Sequence, residues 1–358
     1  MDFFDKLAEC TNLVDSYLAK PEYKTRFNPL DLRNDIFAYL QRSGKRLRPS
    51  VLMWSAGAVG GNPDDALPAA CAVELFHTWT LVHDDVIDND DRRRGGPTVH
   101  TLASEHAKTN LGYSQASAIE YGRNLAILTG DVQHGWCVSL LCECALSGKY
   151  EPAVLINIIN LLETYVVNTL IEGETLDVQY EQVSIDELSD KDIIKMLWAK
   201  TGVLYEFSAR AGAMLGLNTC NLNHPMAEAL AGFASDCGTA FQLQDDILGL
   251  LGDEEKLGKP VGSDIREGKK TLIVYNALNS ANKDEREILK SVLGKQDAVQ
   301  TDVDKVTEIM LSLGAVKKTS DLALEYIKSA LKKLETIPDS QYKQLLKSWA
   351  DFMVNRAV

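Results

Sequence analysis

Apolar residues in this chain recur at helical spacing almost from end to end, and that single feature excludes most folds. The segments Leu30 to Leu40, Val51 to Val59, Pro68 to Asp88, Tyr121 to Leu146 and Ala227 to Leu250 all read as helices rather than as alternating strands. Runs of Val, Ile and Thr flanked by turn pairs, the signal of hairpins, are missing. Pro68 suits a first helical turn, where its missing N–H costs nothing. Breakers fall at Gly60-Gly61-Asn62-Pro63, Gly95-Gly96-Pro97, Asn221 to Pro225 and Gly258-Lys259-Pro260. Ser184-Ile185-Asp186-Glu187 has the pattern of a capping box for a following helix. Beyond Asn282 the helices become charged and amphipathic, as an outer layer requires. With no linker and no solenoid repeat, residues 1–358 read as one all-α domain with a short helical extension over about 1–29.

Charge and cysteine content narrow the function classes. A net charge of −14 argues against a nucleic-acid or anionic-membrane surface, although local Lys and Arg clusters can still hold a small anion. The seven cysteines include no Cys-x-x-Cys pair, and their odd number points to reduced thiols and a cytoplasmic setting. Met1-Asp2-Phe3-Phe4-Asp5-Lys6 lacks the basic start and apolar stretch of a signal peptide. The most apolar stretch, Ala153 to Ile171, is interrupted by Asn157, Asn160, Glu163 and Asn168. It reads as a buried core helix with one polar stripe rather than a transmembrane span.

Two acidic clusters carry the chemistry. His83-Asp84-Asp85-Val86-Ile87-Asp88 ends the helix that begins near Pro68, and Asp84 and Asp88 at i, i+4 share one face. Like charges at that spacing weaken a helix, so something must compensate. Phe241-Gln242-Leu243-Gln244-Asp245-Asp246 ends a second apolar helix. Hard oxygen donors of this kind suit Mg²⁺, which commonly takes one or two carboxylates, waters and phosphate oxygens. Two such groups would grip a diphosphate through metal ions. The plainer alternative is two solvated, charged helix ends.

Basic groups accompany both acids. Gly44-Lys45-Arg46-Leu47-Arg48-Pro49 precedes the first cluster, Arg92-Arg93-Arg94 follows it, and Gly258-Lys259 through Gly268-Lys269-Lys270 follows the second. Arg grips phosphate with a planar fork and Lys acts as a point charge. The Arg triplet could equally pair with Asp88 and Asp90, and Lys269-Lys270 could be ordinary surface charge.

From about Gly44 to Arg356 these residues resemble the trans-isoprenyl diphosphate synthases, or polyprenyl synthetases. Glu74-x-x-His77-x-x-x-Leu81-x-x-Asp84-Asp85-x-x-Asp88, continuing to Arg93-Arg94-Gly95, looks like the family's first aspartate-rich motif, and Phe241-Gln242-x-x-Asp245-Asp246 like the second. Gly130-Asp131, Gly173-x-x-x-Asp177 and Lys200-Thr201 fall where family signatures stand. The resemblance implies an isoprenoid synthase helical bundle around a deep central cavity, a homodimer, and three magnesium ions bound with diphosphate. It implies that Asp84 and Asp88 bind two ions and Asp245 a third, supported by Asp85 and Asp246. Arg93, Lys200 and Lys259 would hold the allylic diphosphate. Lys45, Arg48, His77 and Arg94 would hold isopentenyl diphosphate. Thr201 and Gln242 would line the place where the allylic cation forms, and Lys269 would close over the diphosphate. Two departures stand out: Gly249 occupies the place of a third aspartate, and Glu174 that of a more usual Gln. The first of these, with the run Leu257 to Thr271, is familiar in the archaeal-type short-chain branch.

The implied reaction is head-to-tail condensation. Metal and basic groups stabilise the departing diphosphate, the double bond of isopentenyl diphosphate attacks the allylic cation, and a proton is lost to pyrophosphate. His83 and His100 read as ordinary polar residues of helix or loop. Trp79 lies five residues before Asp84, about 7.5 Å along the helix, where its ring could floor the tunnel for the growing chain beside the small Thr80. That arrangement resembles geranylgeranyl diphosphate synthases of the archaeal type. Farnesyl diphosphate is the alternative product, and Trp79 could simply be core. A class I terpene cyclase would not be expected to keep Lys45, Arg48 and His77, and a non-catalytic subunit would not need its acids intact.

Overall fold

The computed structural model describes residues 2–42, 44–252 and 262–355, and these are all-α apart from one minimal hairpin. The chain packs as two compact units, one of Met1–Ile159 with Ala211–His224 and one of Asn160–Arg210 with Pro225–Val358.

The first unit is built around helix α4, with α1 (Phe3–Leu18), α2 (Leu30–Ala38), α3 (Leu47–Ala58) and α4 (Leu67–Ile87) preceding the hairpin. The hairpin is β1 (Arg92–Arg93) and β2 (Gly96–Pro97), followed by α5 (Val99–Asn110) and α6 (Gln115–Leu146). From Ala69 to Phe76, α4 is buried on every side, and it packs on α1, α3 and α6. The run Ala69-Ala70-Cys71-Ala72 keeps the helix slim there, so its neighbours approach closely. The segment ahead of α2 forms α1 and a short helix, Pro21–Lys24. An aromatic knot ties it to α6: the Trp136 indole meets Tyr23, Phe27 and Phe37 at centroid distances of 5.3, 5.2 and 5.4 Å. The Tyr23 hydroxyl donates to Glu143 on the same helix at 2.7 Å.

The hairpin turns through Arg94 and Gly95, both left-handed with φ of 49° and 74°. Two consecutive positive φ values between paired strands make a type I′ turn, whose twist matches the strands it joins. Arg93 faces Gly96 in the register, so the two-residue turn is Arg94-Gly95, beyond the acidic pair Asp90-Asp91.

In the second unit α7 (Val167–Gln182) and α8 (Pro225–Leu251) are followed by α9 (Leu272–Ser280), α10 (Ala315–Leu334) and α11 (Gln341–Val354). Helix α8 packs along α10 and meets α11. The core closes on Trp349, whose ring lies 5.3 Å from Tyr205 and 5.6 Å from Phe233. The helices after Asn282 are amphipathic and charged outward as the periodicity predicts, and Asn282 with Glu285 forms a capping box for Lys283–Val292.

Two local expectations are corrected. Ser184 caps only a short 3-10 turn, Ile185–Glu187, and the capping box belongs to Ser189 and Asp192 at the start of Asp190–Leu197. Both serines are followed three residues on by an acid, so sequence spacing alone does not separate them. The apolar helix is Pro152–Gln182, long and apolar enough to cross a membrane by length and composition. It is a partly buried core helix, with Ile156 and Ile171 exposed, and it carries a π-helical stretch at Leu162–Val166.

Candidate active site

The first acidic cluster forms at the C-terminal end of α4, where Asp88 caps the helix and its N–H donates to the Asp84 carbonyl at 2.8 Å. A carboxylate oxygen of Asp84 and one of Asp88 lie within 4.8 Å of each other. Two half-buried carboxylates so close, at the negative end of a helix, repel each other unless a cation stands between them. Hard, paired oxygen donors fit Mg²⁺.

Asp85 behaves differently. It is fully buried and accepts hydrogen bonds from Tyr39 and from Arg93. Arg93 donates through Nε at 2.7 Å and through Nη2, and Nη2 also reaches Asp90 at 3.3 Å and Asp84 at 3.5 Å. Burial pushes the Asp85 carboxyl up, and the Arg93 guanidinium opposes that shift. Arg93 thus shares its positive charge among Asp84, Asp85 and Asp90.

Arg94 takes the other direction out of the turn. Its Nη1 donates to the Tyr39 carbonyl at 3.2 Å and its Nη2 lies 3.5 Å from Glu74. Glu74 is buried and holds Arg46 at 2.5 Å, and Arg46 also reaches Asp15 at 2.8 Å and the Leu40 carbonyl at 2.9 Å. Arg46 is thus absorbed by the fold, whereas Lys45 beside it is exposed and Arg48 is half-buried at the start of α3. His77 lies among these cations. Burial first, then the charges of Arg48, Arg94, Arg93 and Arg46, hold its imidazole well below the usual value. A neutral ring among four cations keeps one N–H that can donate to an anion.

Behind the carboxylates, Trp79 is buried against Phe76 at 5.0 Å, His83 at 5.9 Å and His134 at 4.6 Å between ring centroids. The Thr80 hydroxyl is spent on the His77 carbonyl at 2.9 Å. His83 contacts the Ile127 carbonyl of α6 at 3.1 Å, and Thr98 neighbours His100 at 3.2 Å, so both histidines have ordinary structural partners.

In the second unit, Lys200 sits on a π-helical turn, Trp198–Gly202, and is paired with Asp177 at 2.7 Å and Glu174 at 2.9 Å. Gly173 makes this possible: a Cβ there would stand 2.4 Å from the Lys200 backbone nitrogen. A Glu in place of Gln at position 174 therefore adds a second negative partner for Lys200. Thr201 donates to the Gln242 side-chain oxygen at 2.9 Å, and the Gln242 amide donates to Asp246 at 3.2 Å. Burial, followed by the like charge of Asp264, pushes the Asp246 carboxyl well up. Its Oδ2 is buried with no hydrogen bond among the described residues, which suits a cation ligand or the support of one.

Sequence reasoning missed Asp264. Its carboxylate oxygen stands 3.0 Å from where a Cβ at Gly249 would lie, so it fills the space opened by the absent third aspartate. The signal was present in the run Gly262-Ser263-Asp264, but nothing local ties that residue to α8. Lys269 pairs with Glu267 at 3.2 Å and lies 3.9 Å from Asp264. Lys259 falls outside the described residues. Tyr39 was missed as well, for want of any periodic signal.

Comparison with known proteins agrees with this chemistry. Residues 31–310 match the polyprenyl synthetase family. The chain is 34% identical to the geranylgeranyl diphosphate synthase of Saccharolobus solfataricus, covering 99% of this chain and 97% of that one. It is also 34% identical to a short chain isoprenyl diphosphate synthase of Methanothermobacter thermautotrophicus, covering 99% of each. The crystal structure of geranylgeranyl pyrophosphate synthetase from Pyrococcus horikoshii superposes with a TM-score of 0.84 at 33% identity, covering 99% of this chain and 98% of that one. The chain belongs to the polyprenyl synthetase family and is a trans-prenyltransferase.

Proposed function

We propose that the chain condenses isopentenyl diphosphate head to tail with dimethylallyl, geranyl and farnesyl diphosphates, ending at geranylgeranyl diphosphate. The observation that carries this reading is the Trp79 ring, enclosed by Phe76 and His134 on the same helix as the Asp84–Asp88 pair. Asp84 and Asp88 hold two magnesium ions and Asp245 a third, with Asp85, Asp246 and Asp264 as supporting carboxylates. When bound, the metal supplies Lewis-acid stabilisation of the leaving diphosphate.

The remaining work falls to the side chains. Arg93, Lys200, Lys259 and Lys269 neutralise the allylic diphosphate, while Lys45, Arg48, His77 and Arg94 hold isopentenyl diphosphate. The Thr201–Gln242 pair presents oxygens where positive charge develops. The lost proton goes to the released pyrophosphate.

The described cysteines are all free thiols, which supports a reducing, cytoplasmic setting. Exposed Ile119, Ile127 and Leu128 on α6 support burial of that helix in a homodimer.

Incubation with labelled isopentenyl diphosphate, each allylic primer and magnesium tests the reading. Chain extension is expected with all three primers. No extension with any would overturn it, and a product that stops at farnesyl diphosphate would make Trp79 a shorter floor.

A further inference from the structure

We infer that Tyr39 is a positioning residue for the first acidic motif: its buried hydroxyl fixes Asp85 as the anchor of Arg93 and so leaves metal binding to Asp84 and Asp88. This rests on the function proposed above and adds to it a residue outside both aspartate motifs.

Tyr39 closes α2 and is completely buried, packed with Val82, Val99 and Ala126. Its hydroxyl has both of its roles filled. It donates to Asp85 Oδ2 and accepts from the Val99 backbone N–H at 3.1 Å. That N–H is one of the unpaired donors at the start of α5, so the phenol joins α2, α4 and α5 through a single oxygen. The other Asp85 oxygen is held by Arg93, with Nε at 2.7 Å. A carboxylate gripped on both oxygens, inside a packed core, keeps one rotamer.

The main chain of the same residue holds the next arginine. The Tyr39 carbonyl accepts from Arg94 at 3.2 Å, and the nearby Arg42 donates to the Arg93 carbonyl at 2.9 Å while lying 5.3 Å from the Tyr39 ring. Tyr39 therefore meets both arginines after the acidic motif: Arg93 indirectly through its hydroxyl and Asp85, and Arg94 directly through its carbonyl. Phenylalanine would keep the packing and lose only the first of these links. The Asp85 carboxylate would then be left short of one donor, and Arg93 would lose its fixed place beside Asp84, where on the proposed reading it helps hold the metal-bound diphosphate.

The test compares wild type, Tyr39→Phe, Asp85→Asn and the double variant, with Val82→Ala as a control that loosens the same cluster but keeps the hydroxyl. Binding of Mn²⁺ in the presence of inorganic pyrophosphate is titrated calorimetrically, alongside thermal melting and the magnesium dependence of turnover. In Tyr39→Phe the half-saturating metal concentration is expected to rise about tenfold, the effect of losing one hydrogen bond to a charged group. KM for isopentenyl diphosphate should stay within about twofold. The double variant should be no worse than the poorer single one, because both remove the same link. Val82→Ala should lower the melting temperature and leave the isotherm in place. An unchanged isotherm in Tyr39→Phe, or an equal shift in Val82→Ala, overturns the positioning role. A wild type that extends no primer would overturn the proposed function instead, and the isotherms would still decide the role of Tyr39.

Discussion

The Trp79 indole on α4 lies 4.6 Å, centroid to centroid, from the His134 imidazole on α6. The two helices therefore meet through aromatic rings at the level where the growing chain is expected to end. The indole N–H is buried and makes no hydrogen bond among the described residues, so the ring is held by packing alone. Trp79→Ala should lengthen the product by at least one isoprene unit, read by chromatography of the dephosphorylated alcohols. It should also cost about 3–5 kcal/mol of stability, as large-to-small core changes do. Trp79→Phe should keep the product length and lose little stability, because it removes a buried donor that has no acceptor.

Arg46 and Glu74 form a buried pair at 2.5 Å. Arg46→Met leaves Glu74 with a weaker partner, Arg94 at 3.5 Å, and strands Asp15. Denaturant unfolding should report a loss of about 3–5 kcal/mol, the usual cost of breaking one side of a buried ion pair.

His77 is held neutral by burial and by the surrounding arginines. In the unfolded chain it takes up a proton below about pH 6.5, so the unfolded state then binds more protons than the folded one. Stability from this group is therefore complete above that pH and falls as the pH drops through it. His77→Gln should flatten the fall in melting temperature between pH 7 and 5. An identical slope in wild type and variant would remove His77 from the account.

Gly249→Asp restores a third aspartate to the second motif, yet it should harm this chain. Asp264 already stands 3.0 Å from where the new Cβ must go, beside the crowded Asp246. Without metal the variant should lose about 1–3 kcal/mol of stability and melt earlier, from crowding and like charge. Magnesium with pyrophosphate should recover part of that loss, measured as a larger ligand-induced rise in melting temperature than wild type gives.

Much of this molecule is legible from local pattern. Helical periodicity places both ends of α4 and α8 and the end of α6 closely, while α6 starts at Gln115 rather than Tyr121. Asp84 with Asp88, and Gln242 with Asp246, are i, i+4 pairs and legible for the same reason. What escapes is whatever depends on residues far apart in sequence. Tyr39 and Asp85 are separated by 46 positions, and no spacing rule joins them. Arg46, one of three basic residues in Lys45-Arg46-Leu47-Arg48, gives no sign that it alone is buried, since that follows from Asp15 and Glu74 on other helices. The Ser184 motif fails for the opposite reason: the local pattern occurs twice within a few residues, and packing selects the second.

The Arg94–Gly95 turn has a consequence for how this site can change. Two neighbouring side chains reach different carboxylates, Asp85 and Glu74, at a turn of fixed handedness. Deleting or inserting one residue there would not merely lengthen a loop. It would disturb the register that sends Arg93 to Asp85 and Arg94 to Glu74. The loop therefore behaves as a phase-locked segment, because Gly95 at its exposed tip is held left-handed, where a side chain would be strained.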